Sequence, residues 1–437
     1  MNSTSKLLPD TQDKLEMPSL GALTNLWAKI GILSFGGPAA QIALMHKLVV
    51  EKMRWMTEKE YLNALSFCML LPGPEAMQLA AYAGWRSNGV IGGIIAGGLF
   101  VIPGAIVIMA LAWIYALYGN VPLIQALFLG VKAAVLVIVV EALLKISKKA
   151  LKSNKLKILA MLSFISIFFL NIPYPLIVLA AASYGFFLAR GKTPDVQTIV
   201  EKPKGFGALI KTVLIWLLVW LLPLFAVAYF TDQQILIEIG KFFSKLAVVT
   251  FGGAYAVLAY MGQDVVNHWG WLTPEEMMDG FGLAETTPGP LILVTEFVGF
   301  LAGFKQEGSI GLGIAAALIT LWTTFIPCFL WIFAGAPYIE WIGAQPKLKS
   351  TLQAISAAVV GVILNLSVWF ALHVMFKEVE LNNIGPIQLW QPELSTVDWR
   401  VIGLTTLCAF LILKLHWGIV RVLGISSLLG ACLVYIT

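Results

Sequence analysis

The chain has 437 residues, 59% of them hydrophobic and 12% charged, with a formal net charge of +5 and a mean hydropathy of +0.85. Length alone suggests two or three soluble domains, and this composition excludes them. The positive balance is no argument for nucleic acid, because the basic residues sit in loops between apolar runs.

The opening segment, Met1 to Leu20, is polar with no apolar core and does not read as a cleaved signal peptide. Ala22 to Met45 is moderately apolar and is interrupted by Phe35-Gly36-Gly37-Pro38. A polar, basic link follows and ends in Thr57-Glu58-Lys59-Glu60, a capping box that predicts a helix start. That helix runs into Leu71-Pro72-Gly73-Pro74, a break inside an apolar stretch, and Ala76 to Trp85 predicts a second half-helix. Apolar runs follow at Gly89–Ala116, Pro122–Leu144, Leu156–Leu170, Pro173–Leu188 and Ala208–Phe230. A bilayer is crossed by ~20 apolar residues in a helix, so this is the pattern of a polytopic membrane protein.

Then the pattern returns. Phe251-Gly252-Gly253 repeats Phe35-Gly36-Gly37, Trp271-Leu272-Thr273 repeats Trp55-Met56-Thr57, and Thr287-Pro288-Gly289-Pro290 repeats Leu71-Pro72-Gly73-Pro74, all at an offset of 216. The capping box recurs at Thr273-Pro274-Glu275-Glu276, with proline where a helix favours it. Broken segments at Ile235–Met261 and Met277–Gly303 precede unbroken runs at Ile310–Phe333, Leu348–Met375 and Val401–Leu413, and a last run starts near Val420. The expected organisation is a polar segment 1–21, a first repeat 22–190, a linker with a connecting helix 191–234 and a second repeat 235–437.

Charge orients the loops. Lys145 to Lys157 carries six lysines and no acid, and Arg190 to Lys211 has five basic residues against two acidic, so both are expected inside. The acidic stretches 231–240 and 377–398 are expected outside, which places the N-terminus inside and the C-terminus outside. The link 46–60 is basic and its counterpart 262–279 has four acids and no Lys or Arg. Opposite bias favours re-entrant over fully spanning broken segments, and an odd number of crossings between equivalent points inverts one repeat relative to the other. The expected fold is an all-α integral membrane protein of two inverted-topology repeats.

Inverted repeats with Gly/Pro-broken helices are the architecture of secondary transporters. A helix interrupted in the membrane exposes N–H groups that attract an anion without any charged side chain. Such backbone survives only where protein or a polar cavity covers it. Proline kinks without a ligand are the plain alternative for one Pro-Gly-Pro, and recurrence at fixed register argues against it.

These residues carry a family resemblance. Phe35-Gly36-Gly37-Pro38, Leu70-Leu71-Pro72-Gly73-Pro74, Gln78-Leu79-Ala80 and Gly84-Trp85 resemble the first half of the chromate ion transporter (CHR) family. Phe251 to Val257, Gly270-Trp271-Leu272, Thr286 to Pro290 and Phe297-Val298-Gly299 resemble its second half. The match spans roughly 22–145 and 240–375, the long two-domain form. One departure is Gln41, where many members carry histidine, so any proton role of that histidine is lost here. The resemblance implies export of chromate across the cytoplasmic (inner) membrane, conferring resistance, with sulfate as a close analogue.

Expected substrate-binding residues are Phe35, Gly36, Gly37, Ser66, Pro72, Gly73, Pro74, Gln78, Phe251, Gly252, Gly253, Thr286, Thr287, Pro288, Gly289 and Pro290. For each hydroxyl the alternative is a bond to its own helix carbonyl. Intramembrane carboxylates are costly and mark ion or proton pathways, so Glu75, Glu285 and Glu296 are candidates for proton coupling. Arg86 and Lys132 are possible anion contacts, or snorkel to the interface. Glu141 and Lys145 read as topology determinants, and surface roles are expected for His46, His268, His373 and His416. Cys68, Cys328, Cys408 and Cys432 lie in apolar runs without pairing or metal-ligand spacing and read as packing residues. No catalytic residue, metal or cofactor is expected. The expected partners are an oxyanion, protons, the lipid bilayer and, as one option, a second copy of the chain. Sulfate uptake or exchange is the rival within transport, a membrane enzyme acting on a phosphorylated lipid the rival of another class, and a passive channel a third.

Overall fold

A computed structural model describes residues 17–189, 206–343 and 345–436. The expectations placed on residues 1–16 and on the basic stretch 190–205 lie outside the described residues. Each start and stop has a local cause. Helix α1 (Leu20–Leu33) is capped by the Ser19 hydroxyl and ends at Ser34. Gly36 and Gly37, with φ of +88° and +77°, turn the chain into α2 (Gly37–Met45), which continues as a π-helical turn His46–Lys52. Helix α3 (Glu58–Cys68) starts on the Thr57/Glu60 capping box. After Pro72-Gly73-Pro74 comes α4 (Glu75–Tyr118), which folds back at Asn88 and Gly89 into two limbs. The limbs touch because Gly84 and Gly92 face each other, each lying against the other's carbonyl. Helix α5 (Pro122–Ala150) completes this unit.

The second unit reproduces the first. Helices α9 (Gln234–Val249) and α10 (Ala254–Gln263) flank Gly252-Gly253, again at positive φ, and a π-helical turn Asp264–His268 follows. Helix α11 (Pro274–Thr286) starts on the Thr273/Glu276 capping box. Beyond Pro288-Gly289-Pro290, a 3-10 turn leads into α12 (Val294–Glu307), then α13 (Ile310–Gly335), a short α14 (Ile339–Gly343) and α15 (Pro346–Met375). Even the ion pairs recur: Arg86 binds Glu60 at 3.0 Å, and Lys305 binds Glu276 at 2.7 Å. Each ties the end of a post-break helix to the start of a pre-break one.

The remaining helices are exchanged between the units. Helices α6 (Asn154–Phe168) and α7 (Tyr174–Leu188) follow the first unit but pack on α15 of the second. Helices α16 (Trp399–Ala409) and α17 (Ile419–Ile436) follow the second but pack on α5 of the first. Helix α8 (Phe206–Phe230) links the units and leans on α13 and α9. With no hydrophobic driving force between helices in lipid, close packing must supply adhesion, and small residues permit it. Gly361 of α15 lies against the Ala160 carbonyl of α6, and Gly130 of α5 against the Ser426 carbonyl of α17.

Among the described residues five helices are long and apolar enough to cross a membrane: α4, α5, α8, α13 and α15. The protein is an all-α, multi-pass membrane protein. Among the described residues the one departure is a hairpin of β1 (Val379–Ile384) and β2 (Ile387–Pro392), which turns on Gly385 in the left-handed region. By sequence this stretch reads as an acidic loop. The Gln388 N–H donates to the Phe169 carbonyl at 2.7 Å, so the hairpin covers the turn between α6 and α7. Of the cysteines, Cys68, Cys328 and Cys408 are buried as expected of packing residues, whereas Cys432 is exposed. Among the histidines, His46 pairs with Glu58 at 2.6 Å, and the half-buried His373 is bonded to the Trp369 carbonyl at 2.8 Å and packs on its ring.

Gly361→Ala places a methyl group on the Ala160 carbonyl and is expected to cost about 1–3 kcal/mol, the range for overpacking. Gly403→Ala meets open space inside α16 and is expected to raise stability by up to about 1 kcal/mol, the helix preference for alanine over glycine. Thermal unfolding of the two purified variants in detergent checks the pair.

Candidate functional site

The breaks are joined across the repeats. The Gly73 N–H donates to the Thr250 carbonyl at 2.9 Å, and the Gly289 N–H donates to the Ser34 carbonyl at 2.8 Å. Ser34 and Thr250 each end the first helix of their unit, and each turns its hydroxyl back to a carbonyl four residues earlier, both at 2.6 Å. Both bonds therefore link the second break of one repeat to the first break of the other. Gly73 and Gly289, at φ of +107° and +87°, hold backbone that other residues avoid.

Helices start at this centre without side-chain caps. Away from the breaks, the helices beginning on Ser19, Thr57, Ser153, Thr273, Ser309 and Asp398 have one, and α5, α7, α9 and α15 do not. Those beginning at a break on Gly36, Pro74 and Gly253 have none, and the turn after Pro290 has none either. Their first N–H groups have no helical acceptor. A small cavity lies at the junction, bounded by Gly73, Pro74, Thr250, Val257, Ile292 and Thr324, and its volume of about 10 Å³ holds one water at most. Two amides brace the backbone around it. Gln41 donates to the Gly289 carbonyl at 2.6 Å, and Gln78 donates to the Pro72 carbonyl at 2.7 Å.

The carboxyl groups are distributed unequally. Glu75, half-buried, begins α4 and rests against Gly253: a Cβ there would sit 3.1 and 3.4 Å from its two oxygens. Glu285 is buried near the end of α11, accepts the Tyr255 hydroxyl at 3.1 Å and leaves Oε2 without a partner. Glu296, fully buried in the first turn of α12, has no hydrogen-bond partner at either oxygen. Asp279, which sequence analysis passed over, is buried against Lys132 at 3.2 Å and accepts the Tyr115 hydroxyl at 2.7 Å. Glu141 pairs with Lys145 at 2.7 Å.

The chain matches the profile of the chromate transporter family over residues 21–186 and 237–432. A probable chromate transport protein of Synechococcus elongatus is 32% identical over 346 residues, covering 79% of this chain and 83% of that protein. The chain belongs to the chromate transporter family. Another relative, a chromate transport protein of Cupriavidus metallidurans, is 29% identical over 79% of this chain and 81% of its own length. An uncharacterized transporter of Methanocaldococcus jannaschii is 25% identical over 98% of both chains. No solved structure matches the chain.

In this family member the residues singled out from sequence divide into three groups. Pro72, Gly73, Pro74, Gln78, Gly252, Gly253, Pro288, Gly289 and Pro290 gather at the crossed breaks, as do Gly36, Gly37 and Phe251, whose carbonyl accepts the Tyr174 hydroxyl at 3.4 Å. Thr286 and Thr287 are there too, but their hydroxyls donate to the Leu283 and Ala284 carbonyls at 2.8 and 3.1 Å, so the local alternative holds for both. The third group is not brought in: Ser66 is exposed on α3, the Phe35 side chain is 41% exposed, and Arg86 and Lys132 are committed to Glu60 and Asp279. Ser34, Thr250 and Tyr255 also stand at the breaks, although the sequence motifs do not single them out. The first two were visible as a hydroxyl residue preceding Phe-Gly-Gly in both repeats, whereas Tyr255 has no counterpart at the same offset.

Gly73→Ala and Gly289→Ala force a side chain into left-handed backbone and are each expected to cost about 1–3 kcal/mol. Because the two positions do one job in two repeats, both variants should lose folded yield and transport together. Fluorescence size-exclusion of the two variants beside Gly21→Ala, which meets open space, checks this.

Proposed function

We propose that this protein is a secondary transporter exporting chromate, a tetrahedral oxyanion, from the cytoplasm in exchange for protons, thereby conferring resistance. The observation that carries the reading is the convergence of uncapped helix starts on the crossed breaks, where backbone N–H groups offer donors without a fixed positive charge. Family membership supports a transporter over an enzyme, and the relatives' chromate transport supports the substrate. Sulfate or another oxyanion of the same shape is the second reading, because backbone donors recognise charge and geometry rather than the central atom.

The division into repeats at 22–190 and 235–437, with 191–234 connecting them, is supported by the two matched stretches and by the recurring elements. Inversion is supported by contacts at opposite ends of the second limb of α4, which runs from the turn at Asn88 and Gly89 to Tyr118. Asn88 donates to the Pro18 carbonyl at 3.1 Å and Arg86 reaches Glu60, gathering the starts of α1 and α3 at the α4 turn. Tyr115, near the other end of α4, instead meets Asp279 beside the second link. Since α1 and α3 both start at one end, the first broken pair enters and returns on the same side, as re-entrant segments do. In this reading the protein lies in the cytoplasmic membrane with its N-terminus inside and its C-terminus outside.

Glu285 and Glu75 are the coupling residues by position, both at the breaks, and Glu296 is the third candidate. The one-water cavity then represents a closed state that widens to take substrate. In everted vesicles bearing this protein, an imposed proton gradient should drive chromate uptake, and excess sulfate should compete. Glu285→Gln should reduce gradient-driven uptake at least tenfold while chromate self-exchange continues. Full gradient-driven uptake by that variant removes Glu285 from the coupling path.

A further inference from the structure

Two lysines stand at equivalent places on the half-helices that lead to the crossed breaks. Lys29 on α1 and Lys245 on α9 share the offset of 216, and each lies five residues before Ser34 or Thr250, where its helix ends at the centre. Five residues of helix span about 7.5 Å, so both lysines enter the membrane with their helices. Both are exposed, on a stripe that recurs in register. Asn25, Lys29 and Ile32 form it on α1, and Lys241, Lys245 and Val248 form it on α9, all of them exposed. Spacings of four and three put each set on one helix face, and the other faces of α1 and α9 are buried.

Neither lysine is neutralised. Arg86 and Lys132 are committed to Glu60 and Asp279, whereas among the described residues Lys29 and Lys245 form no ion pair or hydrogen bond. Lys245 rests over the Tyr260 ring, 5.7 Å from its centroid, a contact that steadies an ammonium and leaves its charge in place. It stands eleven residues, about 17 Å, beyond the start of α9 at Gln234. A charged side chain turned to lipid at that depth is costly, so lysine faces a water-filled mouth there.

We propose that Lys29 and Lys245 are docking cations at the two mouths of the transport path, Lys29 taking the oxyanion on the cytoplasmic side and Lys245 meeting it on the outer side. The inference rests on the oxyanion reading and the orientation given above. Helices α1 and α9 turn their carbonyl ends towards the centre, and that end of a helix dipole repels an anion. A lysine between mouth and centre offsets the repulsion and attracts the dianion at a distance, where a backbone N–H donor acts only on contact. Because each lysine stops short of the breaks, it delivers the oxyanion and does not hold it there. Each acts on entry from one face, so affinity at that face depends on that lysine and not on its counterpart.

The test is chromate transport by the full-length protein measured from each face, in everted vesicles for the cytoplasmic side and right-side-out vesicles for the outer side. Lys29→Gln should raise KM about tenfold in everted vesicles, keep the maximal rate, and leave KM in right-side-out vesicles unchanged. Lys245→Gln should do the reverse. Lys29→Arg and Lys245→Arg keep the charge and should keep the wild-type KM. Potassium chloride should raise KM of the wild type more than that of the Gln variant at the same face, because salt screens the attraction. Water access is read without transport: Lys29→Cys and Lys245→Cys, each combined with Cys432→Ser, should react with a charged, membrane-impermeant thiol reagent from opposite sides, and sulfate should slow the reaction. An unchanged KM for Lys29→Gln in everted vesicles, an equal rise at both faces, or a failure of the Cys variants to react overturns the proposal. Wild-type vesicles that carry neither chromate nor sulfate from either face, while both Cys variants react, overturn the oxyanion reading itself, and the docking role with it.

Discussion

Two backbone hydrogen bonds, Gly73 to Thr250 and Gly289 to Ser34, decide what the rest of the structure can be. A helix that stops inside a bilayer leaves N–H and C=O groups with no water to take, and each unpaired group there costs several kcal/mol. Part of the remedy is local, since Gln78 donates to the Pro72 carbonyl of its own repeat, but the Gly73 and Gly289 N–H groups find their acceptors across the molecule. The other repeat supplies the missing partner, so neither half is complete alone. That reciprocal need fixes the two halves face to face around one centre and explains why the break residues recur at a constant offset.

The exchange of helices serves the same end. Helices α6 and α7 pack on α15, and α16 and α17 on α5, so each repeat is wrapped by elements of the other. Glycine at the crossings lets backbones approach to direct contact, the adhesion available to helices that gain nothing from leaving lipid. The peripheral ends are held differently, by hydroxyl caps and by the Arg86–Glu60 and Lys305–Glu276 ion pairs. Polar side chains cap six of the helices that start away from the breaks, and bare backbone meets at the middle.

On this near-symmetric frame the chemistry is asymmetric. Glu75 begins α4, but the equivalent position after the second break is Leu291; Glu285 ends α11, but its equivalent before the first break is Met69. Tyr255, Gln41 and Gln78 likewise have no polar counterparts at the same offset. The two breaks are therefore alike in backbone and unlike in the carboxyl groups beside them.

The order of elements was legible in the sequence because its signals are local. Capping boxes at Thr57 and Thr273, prolines at breaks and helix starts, and glycines in left-handed turns each act within a few residues. The repeat itself was legible because three motifs share one offset. The hairpin at 379–392 escaped because its strands are short and largely exposed: β1 shows no alternation of burial and β2 alternates only between exposed and half-buried positions. What only the tertiary structure decided is pairing: that the breaks cross between repeats, that Thr286 and Thr287 spend their hydroxyls on their own helix, and that Lys132 belongs to Asp279. Those are contacts between residues far apart in the chain or choices among competing acceptors. Composition and spacing name the groups, but distance and burial in the folded chain select their partners.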